Sequence, residues 1–108
     1  MTIMFMETSK FKVEVDPDIA DLVPQFLENR KKDMLSLEEL IDSKNIYAIS
    51  QLAHKIKGSA AGYGFEELSR IAAKMEEAAK QNDLFSIQKL YSDASHYLTD
   101  VEVIYPQQ

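Results

Sequence analysis

Along most of the chain, apolar residues recur every three or four positions, the spacing that gathers them on one side of a helix. Phe26, Leu27, Met34, Leu37, Leu40 and Ile41 form one such stripe, closed by the polar turn Asp42-Ser43-Lys44-Asn45. Ile46, Ile49, Leu52, Ala53, Ile56 and Ala60 form the next, which runs to Gly62-Tyr63-Gly64. A third stripe carries Leu68, Ile71, Ala72, Met75 and Ala79 and ends at Asn82. The fourth starts from the Asp83 cap and carries Leu84, Ile87, Leu90, Tyr91, Ala94, Leu98 and Val101. Each predicts a helix of roughly four to five turns.

Asp16-Pro17 is a further start signal, because the Asp side chain accepts free backbone N–H groups and proline's fixed φ suits a first helical position. A short helix is expected near 17–22, with a break or kink before the next helix, which begins at about Pro24. Ahead of it, Phe11, Val13 and Val15 alternate with Lys12 and Glu14 as in a strand. Residues 1–15 are read as an N-terminal arm and 16–105 as the folded body. Short polar turns force successive helices to be neighbours, so the fold class is all-α, an antiparallel up-and-down four-helix bundle with a short extra N-terminal helix.

The 108 residues suit one domain, and 45% hydrophobic content is enough to bury a core. Eighteen acidic against twelve basic residues give a net charge of −6, which repels a phosphate backbone, so no nucleic acid is expected as partner. The absence of cysteine excludes disulfides, thiolate nucleophiles and Cys-based zinc sites. Apolar runs are far too short to span a membrane, and Met1 to Lys10 lacks the pattern of a secretory signal. A cytoplasmic, monomeric protein is the expectation, and Met1 with a complete bundle favours a free-standing one.

Chemistry enters at His54. At about 100° per residue it points about 140° away from the apolar centre of its helix, toward solvent. Lys57 and Gly58 follow at i+3 and i+4, positions that adjoin it on a helix surface. A glycine inside a helix costs about 1 kcal/mol relative to alanine, so Gly58 beside an exposed imidazole suggests that a large group must come close. Tyr47, Ser50, Gln51 and Ala61 extend the same face into a smooth patch suited to docking a partner. An open convex face does not exclude water and forces no second catalytic group into place, so the chain is not expected to be an enzyme. A neutral imidazole is instead a competent nucleophile toward phosphorus, and Lys57 would offset the charge of a transferred phosphoryl group.

The run Ala53-His54-Lys55-Ile56-Lys57-Gly58-Ser59-Ala60 resembles the signature of histidine-containing phosphotransfer domains, Ala-His-x-Leu-Lys-Gly-Ser. Gly64, and Met75-Glu76 followed by Ala78 and Ala79, match further positions, and the resemblance covers about 17–103. It implies a four-helix bundle with an extra short helix, His54 as phosphoryl acceptor, Lys57 as the charge beside it, Gly58 as clearance for the partner and Ser59 as a supporting position. It also implies no cofactor of its own. The partner it implies is a response-regulator receiver domain, which would bring the Mg²⁺, with a histidine kinase or hybrid kinase upstream. Ile56 and Tyr63-Gly64-Phe65 depart from the usual Leu and Leu-Gly-Ala, with Phe65 expected in the core.

Asp93 and His96 have a spacing that can hold a metal in a bundle, but the helix of Ile46 to Ala60 offers only Gln51 and His54 facing outward, so no metal site is expected and His96 is read as solvated surface. Arg30-Lys31-Lys32 is read as a solvated face, although Arg30 falls on the apolar stripe and would there be snorkelling or ion-paired. The rival function is an interaction module that binds a receiver or kinase through the same face without being phosphorylated.

Overall fold

The structure, a computed structural model, describes residues 11–107. Residues 1–10, most of the expected arm, lie outside the described residues. Four long helices follow the four stripes: α1 over Val23–Asp42, α2 over Ile46–Gly62, α3 over Glu66–Lys80 and α4 over Leu84–Asp100. Each packs on its two sequence neighbours or, for α1 and α4, on each other, and the diagonal pairs make no close backbone approach. The chain is thus an all-α four-helix bundle of up-and-down order, as the short turns require. No helix among the described residues is long and apolar enough to cross a membrane.

The three turns are built alike. Lys44, Gly64 and Asn82 adopt left-handed φ values of 56°, 87° and 56°. After each, the next N–H returns to a carbonyl five residues earlier: Asn45 to Leu40 at 2.9 Å, Phe65 to Ala60 at 2.8 Å and Asp83 to Ala78 at 2.9 Å. This closure satisfies helix-end carbonyls that would otherwise lack donors. Asn45 and Asp83 then cap the following helices, accepting from the N–H of Ala48 and of Ser86. Reversal within three residues holds α2 antiparallel to α3 and fixes which faces meet.

The core runs the length of the bundle, through Val23, Leu37, Ile49, Ala53, Leu68, Met75, Ile87 and Leu98. Phe65 belongs to it, fully buried, and with Tyr63 stacks on Phe26 of α1, at 5.0 and 4.5 Å between ring centroids. The departures at Tyr63-Gly64-Phe65 therefore fill the end of the bundle rather than its surface.

Two local expectations are corrected. The helix foreseen over 17–22 is only a three-residue 3-10 turn, Ala20–Leu22, and it runs into α1 without the break foreseen at Pro24. Pro24 sits in the first turn of α1, where a missing N–H deprives no carbonyl of its donor. The alternating stretch before Asp16 is a strand, β1, Lys12–Glu14, paired in parallel with an unforeseen strand β2, Glu102–Ile104. Val101, in extended backbone, caps the end of α4 and leads into that strand. The ribbon turns Val13 and Val103 toward the bundle, buries Val15, and lays the Phe11 ring 4.9 Å from that of Tyr97.

Arg30 is also corrected as part of a solvated face. Lys31 and Lys32 are exposed, but Arg30 is buried. Its guanidinium bonds Asp33 and the Ser59 hydroxyl, each at 2.8 Å, and lies over the Phe26 ring. The ion pair suits its place on the apolar stripe, because a buried guanidinium needs its donors satisfied.

Candidate functional site

The apolar stripe of α2 turns Ile49, Ala53, Ile56 and Ala60 into the core and leaves His54 on the outside, with 67% of its side chain exposed. Its neighbour in space is α3, whose stripe buries Leu68, Ile71, Ala72, Met75 and Ala79. Glu76 stands at the edge of that stripe and therefore in the seam between the helices, only 12% exposed. There its carboxylate divides between two groups of α2. Oε2 lies 3.0 Å from His54 Nδ1, and Oε1 accepts from the Lys57 ammonium at 2.9 Å. The Lys57 ammonium, aided by His54 and opposed by burial, holds the Glu76 carboxyl below its usual range. The carboxylate is therefore ionised at neutral pH and can only accept, so the proton of a neutral His54 sits on Nδ1 and the Nε2 lone pair is left outward. No described residue bonds Nε2.

Lys57 is gripped at both ends. Its ammonium meets Glu76, and its backbone carbonyl accepts from the Ser69 hydroxyl of α3 at 2.9 Å. Ser69 and Glu76 lie two turns apart on one face of α3, so the two bonds set the axial register of the helices at the site. On the other side of α2, Ser59 takes the Arg30 bond, anchoring the same turn to α1.

The remaining residues read from the sequence are brought onto one surface. Gly58 is exposed, and a Cβ built on it would meet nothing within 4 Å. No neighbour among the described residues therefore requires glycine there, which removes packing within them as its reason. Tyr47 and Gln51 are exposed and joined by a 2.9 Å hydrogen bond from the Gln51 amide to the tyrosine oxygen; Ala61 is exposed and Ser50 half-buried. His96 lies apart from them on α4, exposed, and Asp93 pairs with Lys89 at 3.6 Å. Among the described residues no three His, Cys, Asp or Glu side chains stand together as a metal site.

Glu76, Lys80 and Ser69 were not singled out as site residues from the sequence. The signal for Glu76 was its position beside Met75, one step outside the apolar stripe, which places a carboxylate in an interhelical seam. What it meets there depends on how α2 and α3 are rotated, which no local pattern specifies.

A model of the family described as the Hpt domain matches residues 21–101, most of the chain and all four helices. Neither the curated proteins nor the solved structures compared with the chain gave a significant match.

Proposed function

Because the chain belongs to the Hpt domain family, whose members are phosphotransfer modules, we propose that it carries a phosphoryl group on His54 within a two-component phosphorelay. The observation that carries this reading is the orientation of one ring. Glu76 holds the Nδ1 side of His54 in the seam, while the rest of the imidazole stands in solvent. The Nε2 lone pair attacks phosphorus of an aspartyl phosphate on a receiver domain. The N–P bond forms as the P–O bond to that aspartate breaks, and the carboxylate leaves with the electron pair. No base is needed, since Nδ1 keeps its proton and the positive charge gained by the ring is met by Glu76. Lys57 offsets the phosphoryl charge. The reverse step returns the group to a receiver.

Gly58 gives the receiver room to bring its aspartate in line, and Tyr47, Ser50, Gln51 and Ala61 form the surface around that approach. The chain supplies nucleophile and charge, and the receiver supplies the rest of the active site together with its Mg²⁺. In this reading the chain is a monomeric cytoplasmic carrier rather than an enzyme, loaded by a histidine kinase or hybrid kinase and needing no cofactor of its own. Residues 16–105 form the carrier unit, and the ribbon ties the end of the arm to it.

The test mixes the unaltered protein and His54→Gln with phosphorylated, Mg²⁺-loaded receiver domains and follows an acid-labile, base-stable label. Label on the unaltered protein and none on His54→Gln is expected. Receiver binding with no label on either protein would replace this reading by the interaction module.

A further inference from the structure

Glu76 has more cations than it needs. Its Oε1 holds the Lys57 ammonium at 2.9 Å, and the ammonium of Lys80 stands 3.8 Å from Oε2, the oxygen that also meets His54. One negative charge is thus flanked by two lysines and an imidazole. Moreover, Lys57 is already committed: the ammonium that should meet a phosphoryl group on Nε2 is bound to a carboxylate. A phosphoryl group brings about two negative charges and attracts that ammonium more strongly than one carboxylate does. Left alone by Lys57, the largely buried Glu76 would lose its closest cation.

Resting on the reading that His54 carries the phosphoryl group, we infer that Lys80 takes over Glu76 when Lys57 turns to the phosphoryl group. Lys80 lies at i+4 from Glu76 in the last turn of α3, so the two share a face. Its side chain is 60% exposed and makes no other ion pair among the described residues, so it is free to close the roughly 1 Å that separates its distance from an ordinary charged hydrogen bond. Glu76 then keeps a lysine in both states, and the His54 N–H keeps an ionised acceptor throughout. Lys80 is a positioning residue in this scheme: it acts through Glu76 and Lys57 and does not touch the phosphoryl group.

The experiment is a double-mutant cycle on the full chain, with phosphoramidate as donor and phosphohistidine formation followed by ³¹P NMR. Lys80→Gln should slow formation about threefold, the scale of an exposed ion pair, and Lys80→Arg should restore it. Lys57→Gln is slower still but keeps the nucleophile, and in that background Lys80→Gln should change nothing, because no Lys57 remains to be released. Equal slowing in both backgrounds would mean that Lys80 acts on the phosphoryl charge directly or through the fold, and would overturn the inference. Absence of slowing in the otherwise unaltered protein would overturn it as well. Failure of the unaltered protein to form any phosphohistidine is a different result, refuting the carrier reading and this inference with it.

Discussion

Glu76 Oε2 lies 3.0 Å from His54 Nδ1, although the two residues belong to different helices and stand 22 positions apart in the chain. The same carboxylate binds Lys57, so one side chain of α3 sets both the ring orientation and the resting place of the cation beside it. Glu76→Gln keeps the shape of the side chain but removes its charge. Phosphohistidine formation should fall about tenfold, the scale seen when a group that orients an imidazole is lost. Initial rates with phosphoramidate, measured beside the far-ultraviolet circular dichroism of the variant, check this.

The acid side of the stability profile should carry the mark of the same residue. The Glu76 pKa is lower in the folded chain than in the unfolded one, chiefly through Lys57. Its contribution to stability is therefore fully present above the ordinary carboxylate value of 4.5 and fades as pH falls through the lower folded value. The gap in thermal midpoint between the unaltered protein and Glu76→Gln should be widest near neutral pH and close below pH 4.5. Thermal melts across that range decide it.

Gly58→Ala separates folding from docking. A Cβ there meets open space inside an exposed helix, so stability should rise by up to about 1 kcal/mol. Transfer from a phosphorylated receiver should nevertheless slow, and by more than phosphorylation from a small donor does. Urea melts and paired transfer assays check the two directions. A variant that is more stable and equally fast with receivers would refute the clearance assigned to this position.

Tyr97 is fully buried, and no atom of the described residues bonds its hydroxyl. Burial, with Glu67 adding, pushes its pKa from 10.0 up to about 12. Since the folded value is the higher one, its contribution to stability is complete below pH 10 and is lost as pH rises toward 12. Tyr97→Phe should be neutral or stabilising by about 1 kcal/mol at pH 7, because it removes an unpaired buried hydroxyl and leaves the ring against Phe11. It should also flatten the alkaline fall in thermal midpoint.

Arg30 joins α1 to the turn of α2 that follows the site, through Ser59. Arg30→Ala strands Asp33 and opens space above Phe26, and should cost about 2 kcal/mol, below the full penalty of a deeply buried pair because both side chains keep some exposure. Arg30→Met retains the apolar stem and should cost less. Urea midpoints of the two variants give the comparison.

The parts of the molecule legible in the sequence are those written within one helix or one turn. Asp83 announces a helix start, and His54, Lys57 and Gly58 announce a site because i+3 and i+4 neighbours share a surface whatever the helix packs against. Glu76 escaped because its partners lie on another helix. The strand at Glu102–Ile104 escaped because three residues are too short a run to show a period, and Val101 continues the helical stripe before it. Arg30 read two ways at once, as part of a basic run and as a member of an apolar stripe. Only the position of Asp33 and Ser59 around it decides between them.

The parallel ribbon joins Val13 to Val103, with almost the entire bundle lying between them in the chain. Such a contact closes a very long loop and gains little from its few backbone bonds until the helices on which it rests are packed. In time, then, the ribbon is a clasp: the last element to form after the bundle has collapsed and the first to open. Its amides should exchange with solvent well before those of α2 and α3, so the ribbon breathes while the seam that holds His54 stays closed.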